Sequence, residues 1–560
     1  MEILDWIVLS TTLFFIVIYG VIKTKGSSNV EDYLLDNNQT PWFTVGISVM
    51  ATQASAITFL STPGQAYHDG MGFVQFYFGL PLAMIVIAYT FIPIYHRLKV
   101  FTAYEYLEQR FNIETRTLAA ILFLIQRGLG TGITIYAPSI ILSALLGWNL
   151  TFLNIIIGIL VIIYTVTGGT KAVNMTQKQQ MFVIMTGMFI IFFYILANLP
   201  EDVDFSNVLH IAGANGKMDI LDFSYNPETR YTFWSGITGG FFLMLSYFGT
   251  DQSQVGRYLS GKSIKESQMG LIMNGILKVP MQFFILLTGV LVFVFFQFND
   301  APLHFNPTNV EKVRASEQKE AYENLEQKLV QLNTDKKIVN QIYIEQLKHN
   351  EYDNPILKKQ MIALSLKEKD LREKAKVVIS KVDEKTETND KDYVFISFIL
   401  NNLPRGLIGL LIAVILSAAM SSTASELNAL ATTTTIDLYN RNKKNKSSEI
   451  ETVNTTKMFT VFWGLFAIAI ACIAYLADNL IQLVNIIGSL FYGNVLGIFL
   501  IAFFIKYIKS NAVFYGAIIT QLIVLFVWYN DYMPYLWLNV LGVFTVIITS
   551  YLIQLFNNKN

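Results

Sequence analysis

Apolar runs of about 20 residues recur along this chain of 560 residues, and short polar loops separate them. A helix of that length can cross the hydrocarbon core, because all of its backbone polar groups are satisfied within the helix. Thirteen stretches qualify: 4–22, 40–61, 72–95, 117–146, 150–168, 180–198, 233–255, 269–297, 394–437, 456–476, 480–505, 511–529 and 533–556. The pattern predicts an all-α polytopic membrane protein with about 13 transmembrane helices. We expect 394–437, which turns polar after Ser417, to form one helix that crosses and continues past the membrane.

One segment breaks the apolar pattern. Of the 82 charged residues, 34 lie between Glu311 and Asp392. Two leucine-bearing faces follow each other within this segment, with a break at His349–Pro355. The first face carries Leu325, Leu329 and Leu332, and the second carries Leu357, Met361, Leu364 and Leu371. This predicts a hydrophilic helical hairpin inserted at 299–393, which could serve as a solvated antenna or assembly surface without transport chemistry.

The positions of basic residues in the short loops predict the orientation of the chain. They follow the odd-numbered spans, at Lys23, Lys25, Arg97, Lys99, Lys171, Lys178, Arg257, Lys262, Lys265, Arg441, Lys443, Lys444, Lys506 and Lys509. We therefore expect the N-terminus outside and the C-terminus inside, in the cytoplasmic (inner or plasma) membrane. The insertion then lies outside the cytoplasm, since long segments translocate largely regardless of charge.

Composition excludes several classes of function. Lys plus Arg and Asp plus Glu cancel at 41 each, so nucleic-acid binding has no electrostatic footprint. The single cysteine, Cys472, excludes a disulfide framework, and the five histidines form no HExxH pair. No nucleophile, base and orienting group can be assembled from the intramembrane residues, so an enzyme is not expected.

Two spans carry an unusual density of polar residues. The second span becomes rich in small and hydroxyl residues from Ser48 onward and ends at Pro63-Gly64. Such a helix can unwind inside the membrane and line a cavity with its carbonyls, or it can pack closely through small residues. Five spans later, Ser246–Gln254 places Asp251 among amide and hydroxyl groups. This spacing is what two inverted five-helix repeats would produce.

Separated motifs in this order resemble the sodium:solute symporter family. They are Glu31-Asp32-Tyr33, the Ser48–Gly64 stretch, Thr102–Phe111, Tyr164–Gly169, and Thr250-Asp251-Gln252 through Ser260. The resemblance implies a LeuT-type 5+5 inverted-repeat helix bundle. It divides the chain into an extra N-terminal helix and linker (1–39), core helices 1–7 (40–298), the insertion (299–393), core helices 8–10 (394–505) and two C-terminal helices (506–560).

The resemblance also implies a function, namely sodium-coupled symport of a small polar organic solute by alternating access. Sodium would be bound by Ala51, Ala54, Ala418, Ser421 and Ser422, which match the shared sodium site of the family. The solute would contact Gln53, Thr58, Gln75, Tyr77, Tyr247, Asp251, Lys278 and Asn485. The expected partners are the solute, Na⁺ and the lipid bilayer, with no nucleic acid. The oligomeric state stays open, with a monomer as one option.

Several residues depart from the pattern of the sugar transporters in this family. Thr58, Tyr77 and Asp251 replace sugar-contacting residues, which keeps sialic acid and monocarboxylate-like solutes beside sugars as candidates. Lys278 could contact the solute or pair with a buried carboxylate such as Asp251. Gln177 stands where some members carry an aspartate for a second ion, so we expect one sodium per solute. Two alternatives to symport are a channel and a transport-fold sensor that signals through the insertion.

Overall fold

The computed structural model describes residues 2–24, 29–226, 229–348, 354–383, 386, 388–443, 447–474 and 480–557. These residues form helices, and Thr40 and Gly261 make an isolated β-bridge. The helices are α1 (Ile3–Thr24), α2 (Val30–Leu35), α3 (Trp42–Gln53), α4 (Ala56–Asp69), α5 (Leu80–Val86), α6 (Ile92–Leu98), α7 (Glu105–Arg110), α8 (Ile113–Leu146), α9 (Leu150–Ala197), α10 (Phe205–Ala214), α11 (Phe233–Ser235), α12 (Phe241–Thr250), α13 (Gln252–Leu259), α14 (Ile264–Phe298), α15 (Pro307–Arg314), α16 (Lys319–Lys348), α17 (Pro355–Val382), α18 (Lys391–Asn402), α19 (Leu407–Thr433), α20 (Asn440–Asn442), α21 (Glu449–Ile473), α22 (Leu480–Phe504), α23 (Ser510–Tyr529) and α24 (Tyr535–Asn557). Shorter 3₁₀ segments cover Asp36–Asn38 and Gly70–Tyr77, and π-helical segments cover Ile87–Phe91, Gly236–Gly240 and Thr434–Tyr439.

Nine helices in the described part of the chain are long and apolar enough to cross a membrane. Two shorter apolar helices, Ile3–Phe15 and Leu150–Ile163, accompany them. The polytopic membrane architecture is confirmed, and the count of thirteen crossings stays a prediction. Leu82, Ile85, Phe182 and many other large apolar side chains on these helices are exposed, as expected of surfaces that face lipid.

One predicted element is wrong. The 394–437 stretch is not a single helix, because α18 ends at Asn402 and α19 begins at Leu407. Between them Gly406 adopts a φ of +84°, which favours glycine, and Pro404 provides no backbone N–H. The apolar run therefore contains a short helix, a turn and then the long α19.

The two polar-rich spans are both broken helices. The first breaks at Ala54 and Ser55, between α3 and α4, and the second at Asp251, between α12 and α13. The long helix α14 runs beside the first broken span. Gly270 packs against Val45 near its start, and Gly289 packs against the Pro63 backbone farther along, so α14 is parallel to α3 and α4.

Basic short-loop residues gather at one end of the bundle. His96 lies 3.0 Å from the Ser267 hydroxyl, which joins the end of α6 to the start of α14. Arg441 forms an ion pair with Glu108. Arg110 donates to the carbonyl of Lys506 at 3.1 Å. The loops predicted to lie on one side of the membrane therefore meet in the structure.

The insertion forms the predicted hairpin, and it lies against the opposite end of the bundle. Its helices α16 and α17 are joined by a buried cluster in which Glu368 accepts from Lys336 at 2.6 Å and from Arg372 at 3.0 Å. Arg372 also contacts the Tyr67 hydroxyl at 3.5 Å, near the end of α4. Most of the predicted break, 349–353, lies outside the described residues. The hairpin is docked on the bundle and does not project as a free antenna.

Candidate functional site

The break in the first span frees two backbone carbonyls. Ser55 has extended backbone angles (φ −76°, ψ 173°), and its N–H donates to the Gln53 carbonyl. The Thr58 N–H donates to the carbonyl of Ser55. In an unbroken helix these two N–H groups would bond to the carbonyls of Ala51 and Ala54. Both of the carbonyls predicted to bind sodium are therefore released from the helical pattern at the break.

The predicted hydroxyl ligands lie on α19, which packs against the last turn of α3. Thr52 Oγ1 and Ser425 Oγ are 3.5 Å apart across this contact, one turn beyond Ser421. Ser421 Oγ is buried and has no hydrogen-bond partner among the described residues. Ser422 donates to the Ala418 carbonyl at 3.0 Å, which leaves its oxygen lone pairs available. The donor set of carbonyl and hydroxyl oxygens suits a small hard cation.

Beside the predicted sodium ligands, the side-chain amide of Gln177 occupies the position where some family members carry an aspartate for a second ion. Gln177 is fully buried on α9. Its Nε2 donates at 3.1 Å to both Thr52 Oγ1 and Ser425 Oγ. An amide NH₂ presents hydrogens, not lone pairs, toward these hydroxyls.

A cavity of about 90 Å³ lies next to both broken helices. Five of the residues predicted to contact the solute line it, namely Gln53, Thr58, Tyr77, Tyr247 and Asn485. They come from α3, α4, the 3₁₀ segment Gly70–Tyr77, α12 and α22. The structure therefore gathers side chains that are more than 400 positions apart in the sequence.

The other three predicted solute contacts lie elsewhere. Gln75 bonds to the backbone of Gly72, Tyr231 and Asp222. Asp251 forms an ion pair with Arg127 and caps α13 by accepting from Ser253. Lys278 is fully buried on α14, and its Nζ has no hydrogen-bond partner among the described residues, so the suggested pairing with Asp251 is not observed.

Sequence analysis missed the charged centre of the site. Arg127 on α8 forms ion pairs with Asp251 and, at 3.0 Å, with Glu426 on α19. Tyr492 receives a hydrogen bond from Arg127 at 2.7 Å and lies 3.1 Å from Asp251. Arg127, Glu426 and Tyr492 all line the cavity. A signal was present, because charged residues within apolar spans mark function by default.

Comparison with known proteins places these features in a family. The model of the sodium:solute symporter family matches residues 33–333 and 373–520. The Homo sapiens sodium/iodide cotransporter is 31% identical over 273 residues, which is 48% of this chain and 42% of that protein. The Homo sapiens sodium-coupled monocarboxylate transporter 1 is 33% identical over 257 residues, 46% of this chain and 42% of that protein. The chain thus spans less than half the length of these curated relatives.

A solved structure matches nearly the whole chain. It is a Na⁺-coupled sialic acid symporter in a substrate-bound outward-open state, with a TM-score of 0.76 and 23% identity. The match covers 99% of this chain and 98% of that one. It confirms the predicted LeuT-type fold. The matched family consists of transporters and not of enzymes. This chain belongs to the sodium:solute symporter family.

Proposed function

We propose that this protein is a secondary active transporter that carries a small polar organic solute together with sodium by alternating access. The observation that carries the proposal is the pair of broken helices. The first breaks at Ala54–Ser55 and the second at Asp251, and a cavity lies between α3, α12 and α22. Discontinuous helices that meet at a cavity inside the membrane are where transporters of this architecture bind solute and coupling ion.

In this proposal, sodium binds to the carbonyls of Ala51, Ala54 and Ala418 and to the hydroxyls of Ser421 and Ser422. The freed carbonyls and the unpartnered Ser421 hydroxyl support the assignment. A buried polar atom without a partner is costly unless a ligand or water satisfies it. Sodium at this place supplies the missing partner. It also joins the broken helix to α19, so its binding favours one arrangement of these two elements.

One sodium accompanies each solute. The Gln177 amide hydrogens point at Thr52 and Ser425, which would otherwise offer oxygen lone pairs to a second ion. We expect a Hill coefficient for sodium near one. A charge-to-solute ratio that indicates two sodium ions would contradict this stoichiometry.

The protein spans the cytoplasmic membrane with its basic loops inside and the hairpin outside. The gathering of Arg441, Arg110 and the α6–α14 contact at one end, opposite the hairpin, supports this orientation. The outer end of α4, where Asp69 pairs with Lys391 at 2.8 Å, then faces the solute supply. Labelling of a single cysteine introduced at an exposed hairpin position in intact cells tests the orientation.

Replacement of both sodium-binding hydroxyls tests the coupling. We expect Ser421→Ala with Ser422→Ala to raise the sodium concentration for half-maximal uptake by about tenfold or more, since each 1.4 kcal/mol of lost binding energy is tenfold. Uptake into proteoliposomes under an imposed sodium gradient measures this. Ser139→Ala is the matched control, because Ser139 is a buried serine that donates to its own helix at 3.0 Å. An unchanged sodium requirement in the double variant would show that sodium binds elsewhere.

A further inference from the structure

The cavity wall carries an unusual charge arrangement. Arg127 and Glu426 are its charged residues in the described part of the chain, and Asp251 lies behind Arg127. One guanidinium thus faces two carboxylates, and with both carboxylates ionised the cluster holds one excess negative charge. Burial is nearly complete, with Arg127 3% and Glu426 5% exposed. Such a charge is screened little by solvent or salt.

This charge argues against an organic anion as the solute. A single sodium ion bound beside the cavity brings the local charge to zero. A further carboxylate without a matching cation would leave a net negative charge inside the membrane, and unpaired buried charge costs several kcal/mol. A solute with no net charge keeps the loaded site neutral.

The lining also offers partners for a positively charged nitrogen. Glu426 accepts from Arg127 on one oxygen and from Thr134 at 3.0 Å on the other, and a carboxylate has about four lone-pair positions, so acceptor capacity remains. Rings of Phe76, Tyr77 and Tyr247 line the same space. Aromatic faces together with a carboxylate bind ammonium groups.

The other pole of the site is Arg127. Its Nε and Nη2 are engaged by Asp251 and Tyr492, whereas Nη1 donates to Glu426 alone. A guanidinium has five N–H donors, so Nη1 retains one for a solute carboxylate. Arg127 and Glu426 therefore offer both signs of charge within one hydrogen-bond length of each other.

We propose that the transported solute is a small zwitterion, with its cationic nitrogen bound by Glu426 and its carboxylate by Arg127, and that Glu426 determines this specificity. The inference rests on the proposed symport function and narrows its solute class. It separates this chain from relatives whose names specify iodide or monocarboxylates. Lys278 takes no part, since it does not line the cavity.

Pairs of solutes that differ in one group test the proposal. L-lactate carries a hydroxyl group where L-alanine carries an ammonium group. Tetrahydrofuran-2-carboxylate likewise has a ring oxygen where L-proline has a ring nitrogen. D-glucose is the uncharged comparison. Binding to the purified full chain is measured in sodium chloride and in potassium chloride. We expect the zwitterion of at least one pair to bind in sodium more than about tenfold tighter than its anionic partner and than D-glucose.

Variants at position 426 identify the cause. Glu426→Gln should abolish the zwitterion preference, and Glu426→Asp, which keeps the charge, should retain it. Glu449→Gln makes the same chemical change at an exposed position and should leave the preference intact. Sodium-induced thermal stabilisation reports whether each variant is folded.

Each contrary outcome is informative. Equal or tighter binding of an anion or of D-glucose, binding of no zwitterion in the panel, or a preference that survives Glu426→Gln would overturn the zwitterion proposal. Sodium-dependent binding of lactate that equals or exceeds the binding of L-alanine would do so while leaving sodium symport intact. Solute binding that is the same in sodium and potassium would instead overturn the proposed function.

Discussion

At the scale of single residues, Arg127 is a tightly held buried charge. Two carboxylates and a tyrosine hydroxyl hold it in a nearly solvent-free position. Asp251 accepts from both Nε and Nη2 of Arg127, and loss of a charged acceptor from buried donors typically costs about 1–3 kcal/mol. We expect Asp251→Asn, which preserves shape, to lower the thermal unfolding temperature of the purified protein.

The matched control is Asp202→Asn, since the Asp202 side chain is 74% exposed and pairs with Lys348 at the surface. Exposed pairs contribute about 0–1 kcal/mol, so this change should have little effect. Equal unfolding temperatures for wild type and Asp251→Asn would show that Arg127 does not depend on this partner.

The hairpin carries a titratable cluster outside the membrane. Burial alone would raise the pKa of Glu368, but Lys336 and Arg372 outweigh burial and bring the pKa to about 2, from the ordinary 4.5. Because the folded pKa is depressed, the stabilisation is complete above about pH 4.5 and is lost as the pH falls toward about 2. We expect the protection factors of the α16 and α17 amides, which are corrected for the intrinsic exchange rate at each pH, to fall through this window.

Glu368→Gln serves as the comparison for this titration. It removes the ionisable group, so the protection factors in α16 and α17 should be lower at neutral pH and should vary less with acid. A wild-type hairpin with constant protection from pH 5 to about pH 2 would contradict the role of the cluster.

Sequence reasoning identified cavity residues unevenly, and the reason is physical. Gln53, Thr58 and Asn485 are polar residues in or beside apolar runs, so they are recognisable from the sequence alone. Glu426 lies in the polar second half of a long apolar stretch, where a carboxylate is less conspicuous. Its pairing with Arg127 joins α19 to α8 across 299 positions, and no local pattern encodes such a contact.

At the scale of helices, both interrupted spans were predictable, because hydroxyl and small residues weaken helix continuity where a cavity can accept the freed backbone. The division of 394–437 was missed. Pro404 and Gly406 are strong local breaks, but the apolar residues around them dominate a count of hydrophobicity. Gly169 similarly adopts a φ of +55° within α9, against the ring of Tyr33.

The packing of α14 against α4 depends on glycine. A Cβ at Gly289 would lie 2.3 Å from the carbonyl oxygen of Pro63, which is backbone and cannot move aside alone. We expect Gly289→Ala to separate these helices and to lower the free energy of unfolding by about 1–3 kcal/mol. The unfolding temperature should fall accordingly. Thermal unfolding in detergent measures the change.

Gly130→Ala controls for the added methyl group and for helix propensity. Gly130 lies within α8, and apart from the adjacent backbone of α8 itself no atom of the described residues lies within 4 Å of where its Cβ would be. This variant should be neutral or slightly stabilising. A Gly289→Ala protein as stable as Gly130→Ala would show that α14 and α4 tolerate a wider spacing.

At the scale of the whole molecule, the transport bundle and the hairpin are separable in sequence but joined in space. The family pattern passes over residues 334–372, which contain Lys336, Glu368 and Arg372. We expect replacement of 316–382 by a short Gly/Ser linker to leave sodium-driven uptake largely intact. The unfolding temperature should fall, because Tyr67 and Phe305 lose their contacts with Arg372.

Uptake and unfolding of the shortened protein are measured on the same proteoliposome preparation. Complete loss of sodium-driven uptake in a protein that inserts normally would place the hairpin in the transport cycle. An unchanged unfolding temperature would show that its docking contributes no stability.

The docked hairpin also presents an exposed surface that an antibody could recognise. Ile356, Ile362 and Leu366 on α17 are exposed, in a segment whose sequence belongs to this chain and not to the family pattern. We expect an antibody fragment raised against this face to discriminate the protein from relatives that lack this segment. The helix α17 touches Tyr67 at the end of α4. In the proposed orientation, with the hairpin outside, we expect such a reagent to report whether that end of the broken helix has moved.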